Sequence, residues 1–222
     1  MLINIHCAKC VGIDAIPVIV EVDVATGIGI HLVGLADAAI KESLLRIVTS
    51  LQTLGFRIPG RKIVINLAPA DMHKKGSGYD LPIALGIIAA SAQRDLPLLD
   101  KFLIMGELGL DGTIREVPGA LPTVELAAKR GMMGCILPRQ SALEASEYNI
   151  IDVYGVETME EVLEILSGEV VREDLLARNI RTGARTGAGQ GISGAMDFSE
   201  IIGQEGAKRG LEIAAAGGHN AI

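Results

Sequence analysis

Tryptophan is absent from this chain, and three Phe and three Tyr are its other large aromatics. With aromatics at 3% of residues, sites built on stacked rings are excluded and base-stacking RNA modules are disfavoured. Cysteine is nearly as scarce: Cys7 and Cys10 form a C-x-x-C, and Cys135 stands alone. Structural zinc needs four ligands with a second pair elsewhere, and a redox pair needs a strand followed by a helix. His6 offers a third ligand without a fourth, and strand-like sequence follows Cys10, so the cysteines read as plain thiols and no metal site is expected. No apolar run reaches the length of a membrane span, and no secretory signal opens the chain. Positive charge is in deficit. The formal net charge of −7 argues against broad nonspecific nucleic-acid binding.

What is abundant is aliphatic. The chain is 49% hydrophobic with a mean hydropathy of +0.40, which reads as a buried sheet of Val, Ile, Leu and Ala plus a subunit interface in a cytoplasmic protein. Its 222 residues allow one sizeable domain and part of another.

The central stretch is KIVINLAPADMHKKGSGYDLPIALGIIAA, residues 62–90. Lys62 to Leu67 predicts a buried strand, Ala68 to Tyr79 a polar loop, and Asp80 to about Ala92 an apolar helix. Asp80 is the expected cap, and Pro82 in the first turn costs no hydrogen bond. Upstream, residues 2–34 read as β, with strands at Ile16–Val24 and Gly29–Val33. Ala36 to Leu54 predicts an amphipathic helix capped by Asp37, with Ile40, Leu44, Val48 and Leu51 on one face.

Downstream, Lys101 to Leu108 predicts a strand, and the Asp-Gly turn in Gly109 to Ile114 a hairpin. Gly119 to Arg130 predicts a helix with Leu121, Val124 and Leu126 inward. Cys135–Leu137 and Ile150–Tyr154 read as strands, Ser141–Ser146 and Glu157–Leu166 as helices. This alternation gives an α/β class with a layered sheet. Three segments are expected: a domain at 1–166, a Gly/Arg-rich flexible tether at 167–196, and the start of a new domain at 197–222 with a helix over Gln204–Ala216. So short a last segment cannot bury a core, so the chain reads as truncated.

Several motifs are decoys. Gly55 to Lys62 nearly fits G-x-x-x-x-G-K-[ST], but Arg61 stands where Lys is required and the run precedes a strand. Gly27 and Gly29 begin a G-x-G-x-x-G that fails at Leu32. Asp71, His73 and Ser77 are the types of a nucleophilic triad, yet they crowd one loop and could hardly reach its geometry. Arg57, Arg61, Lys62, Lys74 and Lys75 outnumber a single acid, Asp71. They are the candidate contact surface for DNA or a partner.

VGIDAIPVIVEVDVATG, HLVGLADAAIKES, NLAPADMHKKGSGYDLPIA and GELGLDGTIREVPGALP together resemble the N-terminal half of the ComM/YifB family of magnesium-chelatase-like AAA+ ATPases. DFSEIIGQEGAKRGLEIAAAGGHNAI resembles the entry to the family's ATPase module. The resemblance implies an α+β two-layer sandwich similar to the proteolytic domain of Lon, within the ribosomal-protein/Lon superfold, followed by the tether and a fragment of an AAA+ domain. Lon-type peptidases pair a Ser nucleophile with a Lys base. The nucleophile's place falls on Gly78 here, beside Ser77, and the base's place on Leu121, so no catalytic residue is expected.

The resemblance further implies a hexameric ring, ATP and Mg as cofactors of the full-length protein, and DNA as its partner. It points to a branch-migration helicase in recombination or natural transformation. Ile201, Ile202, Gly203 and Gln204 would lie beside the adenine in the intact protein, while residues 1–222 alone should bind no nucleotide. Two alternatives stay open: a Ser/Lys peptidase with displaced residues, and a magnesium-chelatase-type metal-insertion subunit.

Overall fold

Alternation of side chains along extended backbone decides the architecture. In the computed structural model, which describes residues 2–146, 148, 150–180 and 205–217, a long hairpin joins β1 (Leu2–Val11) and β2 (Asp14–Ala25). Val18, Val20, Val22 and Val24 of β2 are buried, whereas Ile19, Glu21 and Asp23 between them are half-exposed, the period of two that a strand imposes. β3 (Ile30–Val33) and β4 (Lys62–Ala68) follow, with α1 (Ala38–Thr53) between them. Asp37 caps α1 as the sequence predicts, accepting from the Ile40 N–H at 2.9 Å.

α2 (Asp80–Ala90) is buried on nearly every side. It lies directly against the hairpin because residue 86 is glycine: a Cβ there would stand 2.4 Å from Val22 Cγ2 and 3.0 Å from Ile5 Cδ1. Asp80 does not cap it. Tyr79 occupies the cap position without a side-chain bond, because the Asp80 carboxylate is drawn to tertiary partners instead.

The remaining strands are β5 (Phe102–Ile104), β6 (Glu107–Leu108), β7 (Ile114–Arg115), β8 (Gly134–Pro138) and β9 (Asp152–Val156). The single strand expected over Lys101–Leu108 is therefore two. Gly106 divides it, its N–H donating to the Gly78 carbonyl and its own carbonyl accepting from the Leu81 N–H, both at 3.0 Å. β6 and β7 form the expected hairpin, Glu107 opposite Arg115. The main sheet has seven strands in the order β3-β4-β2-β1-β5-β8-β9. β2 runs antiparallel to both its neighbours, and every other adjacent pair is parallel.

Further helices are α3 (Ala120–Lys129), α4 (Arg139–Glu144) and, after β9, α5 (Met159–Ser167). α3 buries Ala120, Thr123, Val124 and Ala127. Leu121, expected inward, points out with half its surface exposed, because a 3.6-residue period through Val124 and Ala127 selects Ala120 instead. α2 meets Ile5 of β1 and α3 meets Cys10, positions of opposite parity on one strand, so these helices cover opposite faces of the sheet.

The packed unit also runs past residue 166. Leu175, Leu176 and Ala177 are buried, Leu176 bridges to Tyr154, and Arg178 pairs with Asp152 at 2.7 Å. Residues 167–180, assigned to the tether by composition, thus belong to the first compact unit. Of the second unit, the described part is α6 (Glu205–Gly217), at the place where the sequence predicts a helix. No described helix is long and apolar enough to cross a membrane.

Candidate functional site

The carboxyl ends of β1 and β5, the loop before α2 and the turn before α3 enclose a cleft of about 290 Å³. Such strand ends are where open α/β sheets keep their ligands. Lys9, Cys10, Lys75, Ser77 and Glu116 are among its lining residues.

The loop from Pro69 to Tyr79 is tied down from three sides. The Lys74 main chain donates to the Leu35 carbonyl and accepts from the Asp37 N–H, each at 3.2 Å. Asp37, besides capping α1, accepts from the Gly76 N–H at 3.3 Å. The Lys74 side chain is wholly buried and its Nζ donates to the Pro69 carbonyl. Burial pushes its pKa below the ordinary lysine value.

At the base of the cleft, the Ser77 hydroxyl donates to the Glu107 carboxylate, which also faces Arg115 at 3.7 Å. The next layer in is an ion pair. Asp80, fully buried, accepts from Arg46 Nε at 2.6 Å and from the Leu108 N–H at 3.3 Å, all at Oδ2. Its Oδ1 has no hydrogen-bond partner. Burial raises the Asp80 pKa, and Arg46 opposes that rise. The pair joins α1, α2 and the β6–β7 hairpin behind the cleft. Nothing in the local sequence announces it, since Arg46 and Asp80 are 34 residues apart. The Glu107–Ser77 contact was equally invisible.

A Cβ at Gly78 would stand 2.9 Å from Met105 Cε and 3.4 Å from Val117 Cγ1, so those side chains fill the space a side chain at that place would enter. Leu121 points away from the interior. Ser77 bonds to a carboxylate rather than to an amine, and Asp71 and His73 stand exposed on the loop. Tyr79, whose burial raises its phenol pKa, donates to the Ala8 carbonyl at 3.3 Å.

Cys7 and Cys10 sit three residues apart on β1 and so face opposite sides of the sheet. All three cysteines are free, and burial pushes the Cys7 and Cys135 thiols far up. Among the described residues, no three His, Cys, Asp or Glu side chains converge as a metal site would need.

The basic cluster divides. Arg57 and Arg61 are exposed and Lys62 half-buried at the start of β4, whereas Lys74 and Lys75 follow its end. The seven residues of β4 put about 20 Å between the groups, at ~3.3 Å per residue. Lys74 is lost as a contact because its amine is buried. A one-dimensional charge count cannot see either effect. Ile201, Ile202, Gly203 and Gln204 lie outside the described residues.

Comparison with known sequences fits this geometry. The profile described as subunit ChlI of Mg-chelatase matches residues 20–141, and one described as magnesium chelatase, subunit ChlI, matches residues 197–222. The competence protein ComM of Haemophilus influenzae is 37% identical over 219 residues, covering 98% of this chain and 42% of ComM. YifB of Escherichia coli is 38% identical over 219 residues, covering 98% of this chain and 41% of YifB. This chain therefore spans well under half the length of either relative. The archaeal Lon protease of Thermococcus kodakarensis is 29% identical over 111 residues, which are 48% of this chain and 17% of the protease. The α/β unit is accordingly Lon-like.

Proposed function

Because the chain belongs to the ComM/YifB family of magnesium-chelatase-like proteins, we propose that its Lon-like unit is a noncatalytic assembly and binding domain. The whole protein would then be an ATP-driven motor of the AAA+ class that works on DNA. The carrying observation is the Ser77 hydroxyl bonded to the Glu107 carboxylate, with glycine and an outward leucine at the places of the Lon-type dyad. Among the described residues the Ser77 hydroxyl meets a carboxylate, not the lysine amine that takes up the proton in a Lon-type dyad.

ATP and Mg are cofactors of the full-length protein on this reading. Residues 1–222 contain no G-x-x-x-x-G-K-[ST] to cradle phosphates, so no nucleotide step is assigned to them. The relative named a competence protein favours a role in natural transformation; branch migration, a hexameric ring and the cytoplasm belong to the same proposal. Arg57, Arg61 and Lys62 form the DNA- or partner-facing edge, with Lys75 at the opposite end of β4.

Assaying full-length protein for DNA-stimulated ATP hydrolysis and for movement of a branched DNA junction tests this reading. Both activities are expected, and deletion of residues 1–180 should break up the ring in sedimentation. Tight Mg-dependent ATP binding by residues 1–222 alone, or intact rings without residues 1–180, would overturn it.

A further inference from the structure

The main sheet has two edges, and the fold covers one of them. Along β9, Leu176 bridges to Tyr154, and Arg178 pairs with Asp152 at 2.7 Å. Along β3, at the other end of the strand order, no strand or loop main chain among the described residues pairs on the outer side. An exposed edge is normally guarded by lysine, proline or a bulge, because its unmet N–H and C=O groups are a template for another strand. β3 has none of these guards. Its register with β4 is unbroken, and TGIGIHLVGLA, residues 26–36, holds no Asp, Glu, Lys, Arg or Pro. Ile28 is 85% exposed and Val33 50%.

Pairing with β4 decides which groups are spare. The Ile63 N–H donates to the Gly29 carbonyl at 2.9 Å, and Ile30 stands opposite Ile63. In a parallel pair of this register, Gly29, His31 and Val33 turn their main-chain groups to β4, while Ile30 and Leu32 turn theirs outward. Side chains alternate too. Ile30 and Leu32 pack against the core, which leaves His31 and Val33 on the opposite face.

We infer that a second copy of this chain docks here, β3 antiparallel to β3, about a two-fold axis through His31. The outward groups of Ile30 then meet those of Leu32 in the other copy, and each such pair exchanges both of its N–H···O bonds. The register is self-complementary beyond that pair. Val33 falls opposite Gly29 and Ile28 opposite Gly34, so each exposed aliphatic side chain meets a residue with no side chain to obstruct it. Charge permits like to meet like, since the strand has none to repel its own image even though the chain carries −7. Any other strand would have to supply the neutrality and the glycine spacing that β3 already contains. A two-fold contact is isologous, whereas a cyclic ring needs heterologous ones. This face therefore lies apart from the ring contacts proposed above and pairs subunits of separate assemblies.

Residues 1–222 suffice for the test, because the edge is theirs and no ring is required. Sedimentation should show a monomer giving way to a dimer as concentration rises. In a Cys10→Ser background, chosen because Cys7 and Cys135 are buried, His31→Cys should form a covalent dimer under mild oxidation. A directly opposed, non-hydrogen-bonded pair holds its Cα atoms about 4.5 Å apart, within reach of a disulfide. Ile30→Cys should not cross-link, since its image lies diagonally at about 7–8 Å. Ile28→Lys/Val33→Lys, both at exposed positions, should weaken the dimer at least about tenfold. Ile150→Lys, exposed near the covered edge, should leave it unchanged.

A chain that stays monomeric at every concentration without His31→Cys cross-linking, equal cross-linking at Ile30→Cys, or a dimer indifferent to the lysine pair would overturn the proposal. So would coupling of His31→Cys to a different protein in place of its own copy. None of these outcomes bears on ATP hydrolysis or junction movement by the full-length protein, so the motor reading stands or falls separately.

Discussion

The two halves of the main sheet are built to different rules. Across β4 and β2, buried residues alternate with half-exposed ones, so one face is fully packed and the other only partly covered. In β5 and β8 every residue is buried, all three of the one and all five of the other. Parallel strands joined by crossover helices receive cover on both faces, whereas an antiparallel hairpin can leave one face to solvent. The halves meet at β1 and β5, whose pairing is one residue wide. The candidate site lies at that seam, where strand pairing lapses before the helices close over it.

Cutting the staple behind the seam should have the largest effect. Arg46→Met strands a buried Asp80 carboxylate, and loss of about 3–5 kcal/mol in urea unfolding is expected. Matched truncations then measure the contrast between the halves. Ile136→Ala, in the doubly covered half, should cost about 2–5 kcal/mol, while Ile19→Ala on the partly covered face should cost about 1 kcal/mol or less. Equal costs would erase the distinction.

Gly78→Ser probes the seam itself. Crowding against Met105 and Val117 should destabilise by about 1–3 kcal/mol, and a thermal melt that does not shift would show that the site is roomier than described. The smallest effect concerns His6, on β1 at the same seam. Burial, then Arg130, lowers its pKa below 6.5. The unfolded chain therefore takes the proton first, and its contribution to stability, full above pH 6.5, is lost as pH falls below that value. Unfolding of wild type and His6→Asn between about pH 5 and 8 should show the variant with the flatter profile.

Much of this fold was legible because it follows from period and punctuation. The Asp37 cap, the strands at β2 and β4, the Asp-Gly hairpin and the apolar α2 are local facts, although β4, read as buried, buries only alternate residues. What failed was tertiary. Asp80 reads as a cap until Arg46 and the Leu108 N–H claim its carboxylate. Lys101–Leu108 reads as one strand until Gly106 is tied to both Gly78 and Leu81. Leu121 reads as core because it is Leu, although the register of α3 turns it outward. Composition placed residues 167–180 in a tether, but Leu175, Leu176 and Ala177 bury themselves against the sheet.

The site divides along the same line. A resemblance located Gly78 and Leu121, whereas the contacts that define the cleft join residues far apart in sequence: Ser77 with Glu107, Ala8 with Met105 and Tyr79. The basic cluster divides for a geometric reason, since β4 carries its two ends apart and Lys74 is folded inward.

Labelling with a serine-reactive fluorophosphonate, on wild type beside Ser77→Ala, tests the central claim most directly. With its hydroxyl held by Glu107, Ser77 should leave wild type unlabelled and indistinguishable from the variant. Covalent labelling of wild type that disappears in Ser77→Ala would contradict the account.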